Sequence, residues 1–266
     1  MKLVALVSAA KDPDEAVRVL TEASGSTAAE ARMRLAPETP ALLARLEDAA
    51  ADELTAKLRK AGLAVLAIDA RVPGDSERFV VRTFALEKET LNLEARSGES
   101  MELPWGELAL ILRAQRAKRS ETDKTETARR LSIGSAVLTG GLKMTKTTST
   151  VIHAAEEKTE QVILVYARDG RAAMLAEGSL DFTCLGTLQP SRTANLLELT
   201  KRITERAKAA RYDERLVRLG RRSLPFGAKS EQRVASKNST TLHTDTASTV
   251  DILAEVLWRA LCAGML

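Results

Sequence analysis

The chain is poor in the residues that most catalytic and metal sites use. Its 266 residues include two histidines, two cysteines and 3% aromatic side chains. Neither His153 nor His243 has the spacing of a metal motif or a catalytic triad. Cys184 and Cys262 lie far apart, which indicates no metal motif and fits a reducing compartment. No stretch is apolar enough to cross a bilayer. We therefore expect a cytoplasmic, non-catalytic protein with no cofactor.

Two weak signals of other functions are present. Asp181 and Cys184 could act as a base and a nucleophile, but an aspartate near a strand end is more often a turn residue, and a buried cysteine more often a small hydrophobe. The stretch from Gly134 to Thr145 is rich in glycine and threonine, but its lysine does not have the spacing of a phosphate-binding loop. The short apolar run of residues 3–10 fits a strand better than a secretory signal.

The charge is distributed unevenly along the chain. The protein has a formal net charge of +4, with 44% hydrophobic and 29% charged residues. Residues 1–78 hold 11 lysines and arginines against 13 acidic residues. The excess positive charge therefore lies in the remainder, and an acidic partner should prefer that part.

The first seventy residues follow a strand, helix, helix, strand, helix, strand pattern. Asp12-Pro13 provides a helix N-cap followed by proline at the first helical position, and Gly25 provides the left-handed residue that ends the helix. Thr27 and Glu30 have the spacing of a second capping box. Short apolar runs, residues 3–7, 41–46 and 64–68, predict the three strands.

Within this segment four runs resemble the C-terminal domain of the bacterial large-subunit ribosomal stalk protein; they are residues 15–20, 23–25, 30–32 and 58–65. A Clp protease adaptor has the same general fold. The resemblance implies a docking domain over residues 1–72 that binds a protein partner through Arg18, Thr27, Ala28 and Arg32. Thr27 and Ala28 stand where the stalk family has a Gly-Leu pair.

The second region, residues 78–220, reads as mostly antiparallel β structure. Strands are predicted over 79–86 and 90–95, and Asp169-Gly170 is the turn of a clear hairpin. A helix opening at residues 190–193 carries an apolar face. Antiparallel strands closed by one C-terminal helix resemble a pleckstrin-homology-like barrel. The predicted fold class is therefore α+β, with a stalk-like domain followed by this β domain.

A polar insertion at about residues 114–150 carries many basic side chains. We interpret it either as a solvated loop or as a contact with nucleic acid or an acidic partner. It lacks the aromatic side chains that stack on single-stranded bases. The basic residues proposed for that contact are Arg116, Lys118, Arg119, Arg129, Arg130, Lys143 and Lys146.

The last part of the chain contains an arginine-rich segment, a polar linker and a helix. Residues 211–222 are rich in arginine, and residues 221–247 lack a hydrophobic period, which predicts a flexible linker. Residues 248–266 predict an amphipathic helix with Asp251 on its polar face. This helix should bury its apolar face either against the protein's own second domain or in the groove of a partner.

Together these patterns predict an adaptor that docks a protein partner through its N-terminal domain. The first alternative is a translation-linked or other nucleic-acid-binding protein that uses the basic insertion and the arginines of residues 211–222. The second is an enzyme without a recognisable motif. We expect no membrane partner, and the sequence leaves the oligomeric state open.

Overall fold

The fold is mixed α+β, as predicted. The computed structural model describes residues 1–74, 77–131, 145–222, 224, 231–235 and 239–266, and it describes side chains over 1–74, 77–122, 155–222, 224 and 242–266. The described chain divides into two compact units. The first contains Met1–Arg116, Thr159–Ala228 and Thr246–Leu266, and the second contains Ala117–Lys158 and Lys229–Asp245.

The N-terminal segment of the first unit has the three strands and three helices that the sequence predicts. The elements are β1 Lys2–Leu6, α1 Pro13–Ser24, α2 Ala28–Leu35, β2 Ala41–Leu46, α3 Asp48–Lys60 and β3 Val65–Asp69. β1 lies between β2 and β3 and is antiparallel to both. Alternate strand residues face opposite sides of this sheet. Val4 and Leu6 pack against the three helices, whereas Leu3, Ala5 and Val7 face a different layer.

A second sheet forms the rest of the fold together with three further helical segments. Its strands are β4 Phe79–Leu86, β5 Thr90–Ala95, β6 Ser100–Pro104, β7 Leu108–Leu131, β8 Thr145–Ala167, β9 Ala172–Ala176, β10 Arg211–Asp213, β11 Glu231–Ala235 and β12 Ser239–Asp245. The hydrogen-bonded order is β11-β12-β7-β8-β9-β4-β5-β6, with β10 parallel to β7. The helical segments are α4 Arg192–Arg206, α5 Leu216–Leu219 and α6 Ala247–Cys262.

In the part of the second sheet that belongs to the first unit, both faces are buried. α4 covers one face with Leu196, Leu199 and Ile203, as its apolar spacing predicts. α6 covers the other face, where Leu253 and Leu257 pack against the strands. The predicted antiparallel hairpin at residues 161–175 is confirmed as β8 and β9.

The C-terminal helix is buried on two sides. Leu253 and Leu257 contact the second sheet, and Ile252 and Val256 contact the N-terminal sheet through Leu3, Ala5 and Val7. Of the two alternatives for this helix, the structure therefore shows packing within its own chain, and it adds the N-terminal sheet to the expected contact. Asp251 is also buried, so its predicted position on a solvent-facing side is wrong. Asp251 lies near the start of α6, where the helix is enclosed, whereas Arg259, about two turns further on, is 64% exposed.

Two segments predicted to lack regular structure contain strands. The insertion at 114–150 was expected to be a loop, yet β7 runs to Leu131 and β8 begins at Thr145. The predicted linker 221–247 contains β11 and β12, and β12 pairs with β7 over residues 118–124. The sequence of both segments is largely polar, so the alternating pattern that marks a half-buried strand does not arise.

Candidate partner-binding surface

The outer side of α1 and α2 carries the four residues that the sequence assigned to partner binding. α1 begins at Asp12, whose carboxylate accepts hydrogen bonds from the backbone N–H groups of Asp14 and Glu15, each at 3.1 Å. It ends at Gly25, which has a φ of 66°. Ala16, Val17 and Leu20 are buried, and this orientation leaves Arg18 exposed.

The predicted capping box of α2 is present. The backbone N–H of Glu30 donates to Thr27 Oγ1 at 3.2 Å, and the backbone N–H of Thr27 donates to Glu30 Oε2 at 2.8 Å. The backbone hydrogen bond from Thr27 lowers the pKa of Glu30. The Thr27 hydroxyl also donates to Glu30 at 3.1 Å. Thr27 is exposed, but its side chain already caps the start of α2. Its role there is structural.

Arg18 is exposed but its charge is compensated on the same helix. Its Nη2 lies 2.5 Å from Glu15 Oε1, and its Nη1 lies 2.7 Å from Glu22 Oε1. The hydrogen bonds that Arg18 donates to Glu15 and Glu22 raise the pKa of its guanidinium, and the hydrogen bond that Glu15 accepts from Arg18 lowers the pKa of the Glu15 carboxyl. Two carboxylates around one guanidinium leave this part of the surface slightly negative rather than basic.

Arg32 and Ala28 lie on the exposed side of α2. Ala31 is fully buried and, together with the partly buried Leu35, anchors α2 to the core beneath it. Arg32 is 67% exposed, and its Nη2 lies 3.7 Å from Asp14 Oδ1 on α1. This long ion pair is weak in water, so Arg32 can exchange Asp14 for an acidic group of a partner.

Sequence reasoning missed Met33, which is the most exposed large hydrophobic side chain among the described residues at 75%. Ala29, Ala36 and Pro37 on and after α2 are also exposed. A methionine projecting among small residues is an adaptable apolar contact. The exposure of Met33 could have been predicted from helical spacing. If Ala31 faces the core, Met33, two residues later, lies on the outer side of α2.

The opposite side of the N-terminal sheet is closed. Leu3, Ala5 and Val7 are covered by Ile252 and Val256 of α6. The three N-terminal helices lie on the other face of the sheet. We refer to the exposed residues Arg18, Ala28, Arg32 and Met33 as the α1–α2 surface.

The basic residues proposed for nucleic-acid contact do not share one environment. Arg116 is only 4% exposed and is therefore withdrawn from that set. In the second unit, Lys118 is 71% exposed and lies 3.5 Å from Asp245, and Arg119 lies 2.6 Å from Glu121. The side chains of the other members fall outside the described residues, and they are Arg129, Arg130, Lys143 and Lys146.

Arg116 instead belongs to a buried ion centre that we define as Arg78, Arg116 and Asp251. Asp251 Oδ1 accepts hydrogen bonds from Arg78 Nη1 at 2.6 Å and from Arg116 Nη2 at 3.1 Å. The three side chains are at most 9% exposed. The centre joins α6 to β7 and to the chain just before β4, so it fixes the helix that separates the two sheets.

The candidate catalytic residues are dispersed. Asp181 caps a short 3-10 turn by accepting from the backbone N–H of Thr183 at 3.0 Å, which is the turn role favoured by its sequence context. Cys184 is exposed rather than buried. His243 lies on β12, and the side chain of His153 is outside the described residues. Among the residues that are described, no group of three histidine, cysteine or acidic side chains is placed to hold a metal ion.

Comparison with known proteins gave no significant match to a family model, a curated protein or a solved structure. The stalk-like and pleckstrin-homology-like resemblances therefore remain predictions from the sequence. Within the described part of the chain, none of the helices combines the length and the apolar character that a transmembrane helix requires.

Proposed function

We propose that this protein is a non-catalytic cytoplasmic adaptor that docks a protein partner through the α1–α2 surface. The observation that carries the proposal is the exposure of Met33 and Arg32 on a short helix whose inner side is anchored by the buried Ala31. The other face of the same small sheet is occupied by α6, which leaves the helical side as the accessible one.

The composition of the surface indicates how a partner would bind. Met33 provides the apolar contact, and its flexible side chain fits interfaces of different shape. Arg32 has only a distant carboxylate partner, so it is the cation most easily redirected to an acidic group. Arg18 is held by Glu15 and Glu22, and we expect it to contribute less to binding than its charge suggests.

The partner-binding role is tested by comparing the proteins that copurify with wild type and with two variants from the native cell. We expect Met33→Glu to remove a specific protein partner, because it places a charge in an apolar contact. Arg32→Glu should weaken the same partner by reversing the local charge.

The matched control is Leu188→Glu, a change at another exposed hydrophobic position, 53% exposed, outside the N-terminal segment. The control variant should retain the partner, and nuclease treatment should not release it. If both α1–α2 variants retain every partner at the wild-type level, the assignment of this surface is wrong.

Nucleic-acid binding is the second candidate function, and the exposure of Lys118 favours it. It would use the phosphate backbone, so affinity should fall steeply with salt. A binding measurement at low and moderate salt with Lys118→Gln distinguishes the two functions. Absence of salt-dependent binding would exclude this alternative, and it would leave the proposed adaptor role untouched.

A further inference from the structure

Two neighbouring cavities of the first unit share the side chain of Trp258. Tyr166 and Trp258 stack with ring centroids 5.1 Å apart and an interplanar angle of 16°. One cavity, of about 580 Å³, is lined by both rings and by Phe79. The other, of about 440 Å³, is lined by Trp258 but not by Tyr166. Trp258 therefore lines both cavities, in a chain that has only two tryptophans and two tyrosines.

The charges on the walls distinguish the two cavities. In the larger cavity, every lysine and arginine on the wall has a carboxylate partner at 2.6–2.8 Å. These pairs are Lys2–Asp52, Arg71–Glu77, Arg78–Asp251 and Arg259–Glu255. A cavity with its charges already compensated offers little net attraction to an anion.

The smaller cavity, which we call the Arg168 groove, carries two arginines that differ from those of the larger cavity in their ion pairing. Arg168 and Arg211 line it, and neither guanidinium has a carboxylate partner in the part of the chain that the structure describes. Among the described residues, no acidic side chain lines the groove. Within the described residues its positive charge is therefore uncompensated, unlike that of the larger cavity.

The backbone fixes both arginines near the start of β7. The backbone N–H of Arg168 donates to the carbonyl oxygen of Glu107 at 2.9 Å, one residue before the strand begins. Arg211 is the first residue of β10 and pairs with Leu110 of β7. Trp258 and Leu261 come from α6, which is held by the buried ion centre. Arg211, Trp258 and Leu261 thus lie on regular elements, and Arg168 lies in the turn between β8 and β9, one residue after β8 ends.

We propose that the Arg168 groove binds a nucleotide, with its phosphate at Arg168 and Arg211 and its base against Trp258 and Leu261. Guanidinium groups match phosphate oxygens with paired hydrogen bonds. An indole surface accepts any base by stacking. The volume lies within the range of small-molecule sites. This site is separate from the α1–α2 surface, and it goes beyond the adaptor function.

A free nucleotide and the end of a single strand present the same chemistry, so both are used as probes. Isothermal titration of the full chain with ADP, a short thymidine oligonucleotide and inorganic phosphate compares these sources. Arg168→Gln combined with Arg211→Gln should weaken nucleotide binding at least about tenfold, because two charge-assisted contacts are lost. The matched control is Lys88→Gln combined with Arg96→Gln, which removes two exposed cations around β5 and should bind as wild type does.

Tryptophan fluorescence reports on the contact between the base and Trp258. Trp105→Phe leaves Trp258 as the single tryptophan, and its fluorescence should change when ADP binds but not when phosphate is added. Loss of ADP binding in the double arginine variant, with binding kept in the control, supports a free nucleotide as the ligand. Binding of the oligonucleotide alone, with the same loss, assigns the site to a strand.

Three results would overturn the proposal. The first is no binding of ADP or oligonucleotide at concentrations up to about 1 mM, which corresponds to a negligible affinity. The second is inorganic phosphate binding as tightly as ADP, because the base would then contribute nothing. The third is unchanged nucleotide affinity in the double arginine variant.

Discussion

Removal of Asp251 should destabilise the first unit strongly, because it would leave two buried guanidinium groups without their shared carboxylate. Arg78 Nη1 and Arg116 Nη2 lie 2.6 Å and 3.1 Å from Asp251 Oδ1, and all three side chains are almost completely buried. Breaking a buried ion pair by removing one partner typically costs about 3–5 kcal/mol. For a domain of this size, that loss corresponds to a decrease in Tm of roughly 6–20 °C.

The assay is urea unfolding followed by circular dichroism, with Asp251→Ala compared with wild type. Glu255→Ala is the control, one turn further along α6. Its Arg259 partner is 64% exposed, so this change should cost at most about 1 kcal/mol. A triple variant replaces all three members of the buried ion centre with apolar residues, as Arg78→Met, Arg116→Met and Asp251→Leu.

The triple variant should be more stable than Asp251→Ala, because the two buried guanidinium groups are removed together with the carboxylate that they share. A loss of stability in Asp251→Ala no greater than that in Glu255→Ala would contradict this prediction. A triple variant less stable than both single variants would contradict it as well. Either result would mean that the centre is hydrated or that the helix is fixed mainly by its apolar contacts.

Two further predictions concern local packing and pH. Gly220→Ala should lower the free energy of unfolding by about 1–3 kcal/mol, because a Cβ there would lie 2.5 Å from the carbonyl oxygen of Gln115 and 2.6 Å from Val250 Cγ2. Gly106→Ala, where a Cβ meets no atom within 4 Å, should change stability by less than about 0.5 kcal/mol in the same urea experiment. The folded-state pKa of Glu30 is lowered from 4.5, so its contribution is present above that value and is lost as pH falls through the folded pKa. The stability difference between wild type and Glu30→Gln should accordingly shrink as pH falls below about 4.5, and a pH-independent difference would contradict the capping-box account.

The sequence predicted the N-terminal elements well because their ends depend on local chemistry. The Asp12 cap and the Thr27 capping box are both present in the structure. The Asp169-Gly170 hairpin and the buried face of α4 follow from equally local patterns. These features need only neighbouring residues, so one sequence is sufficient to find them.

The features that were missed depend on contacts between distant parts of the chain. Asp251 looks like a solvent-facing residue until Arg78 and Arg116, from other elements, are placed beside it. The paired stretch of β7 and β12 is recognisable only through its pairing, because its sequence is polar at nearly every position and has no alternating pattern. The candidate surface follows from the resemblance to a known family, whereas the exposure of Met33 follows from the packing of Ala31 against the core.

Site-specific photo-crosslinking in the native cell tests the adaptor account most directly. A photoreactive amino acid is placed at position 33 in one protein and at position 188 in another, both of which are exposed hydrophobic positions. The account predicts a discrete protein adduct at position 33 that is absent at position 188 and that disappears with Arg32→Glu. No adduct at position 33, or the same adducts at both positions, would contradict the claim that the α1–α2 surface docks a partner.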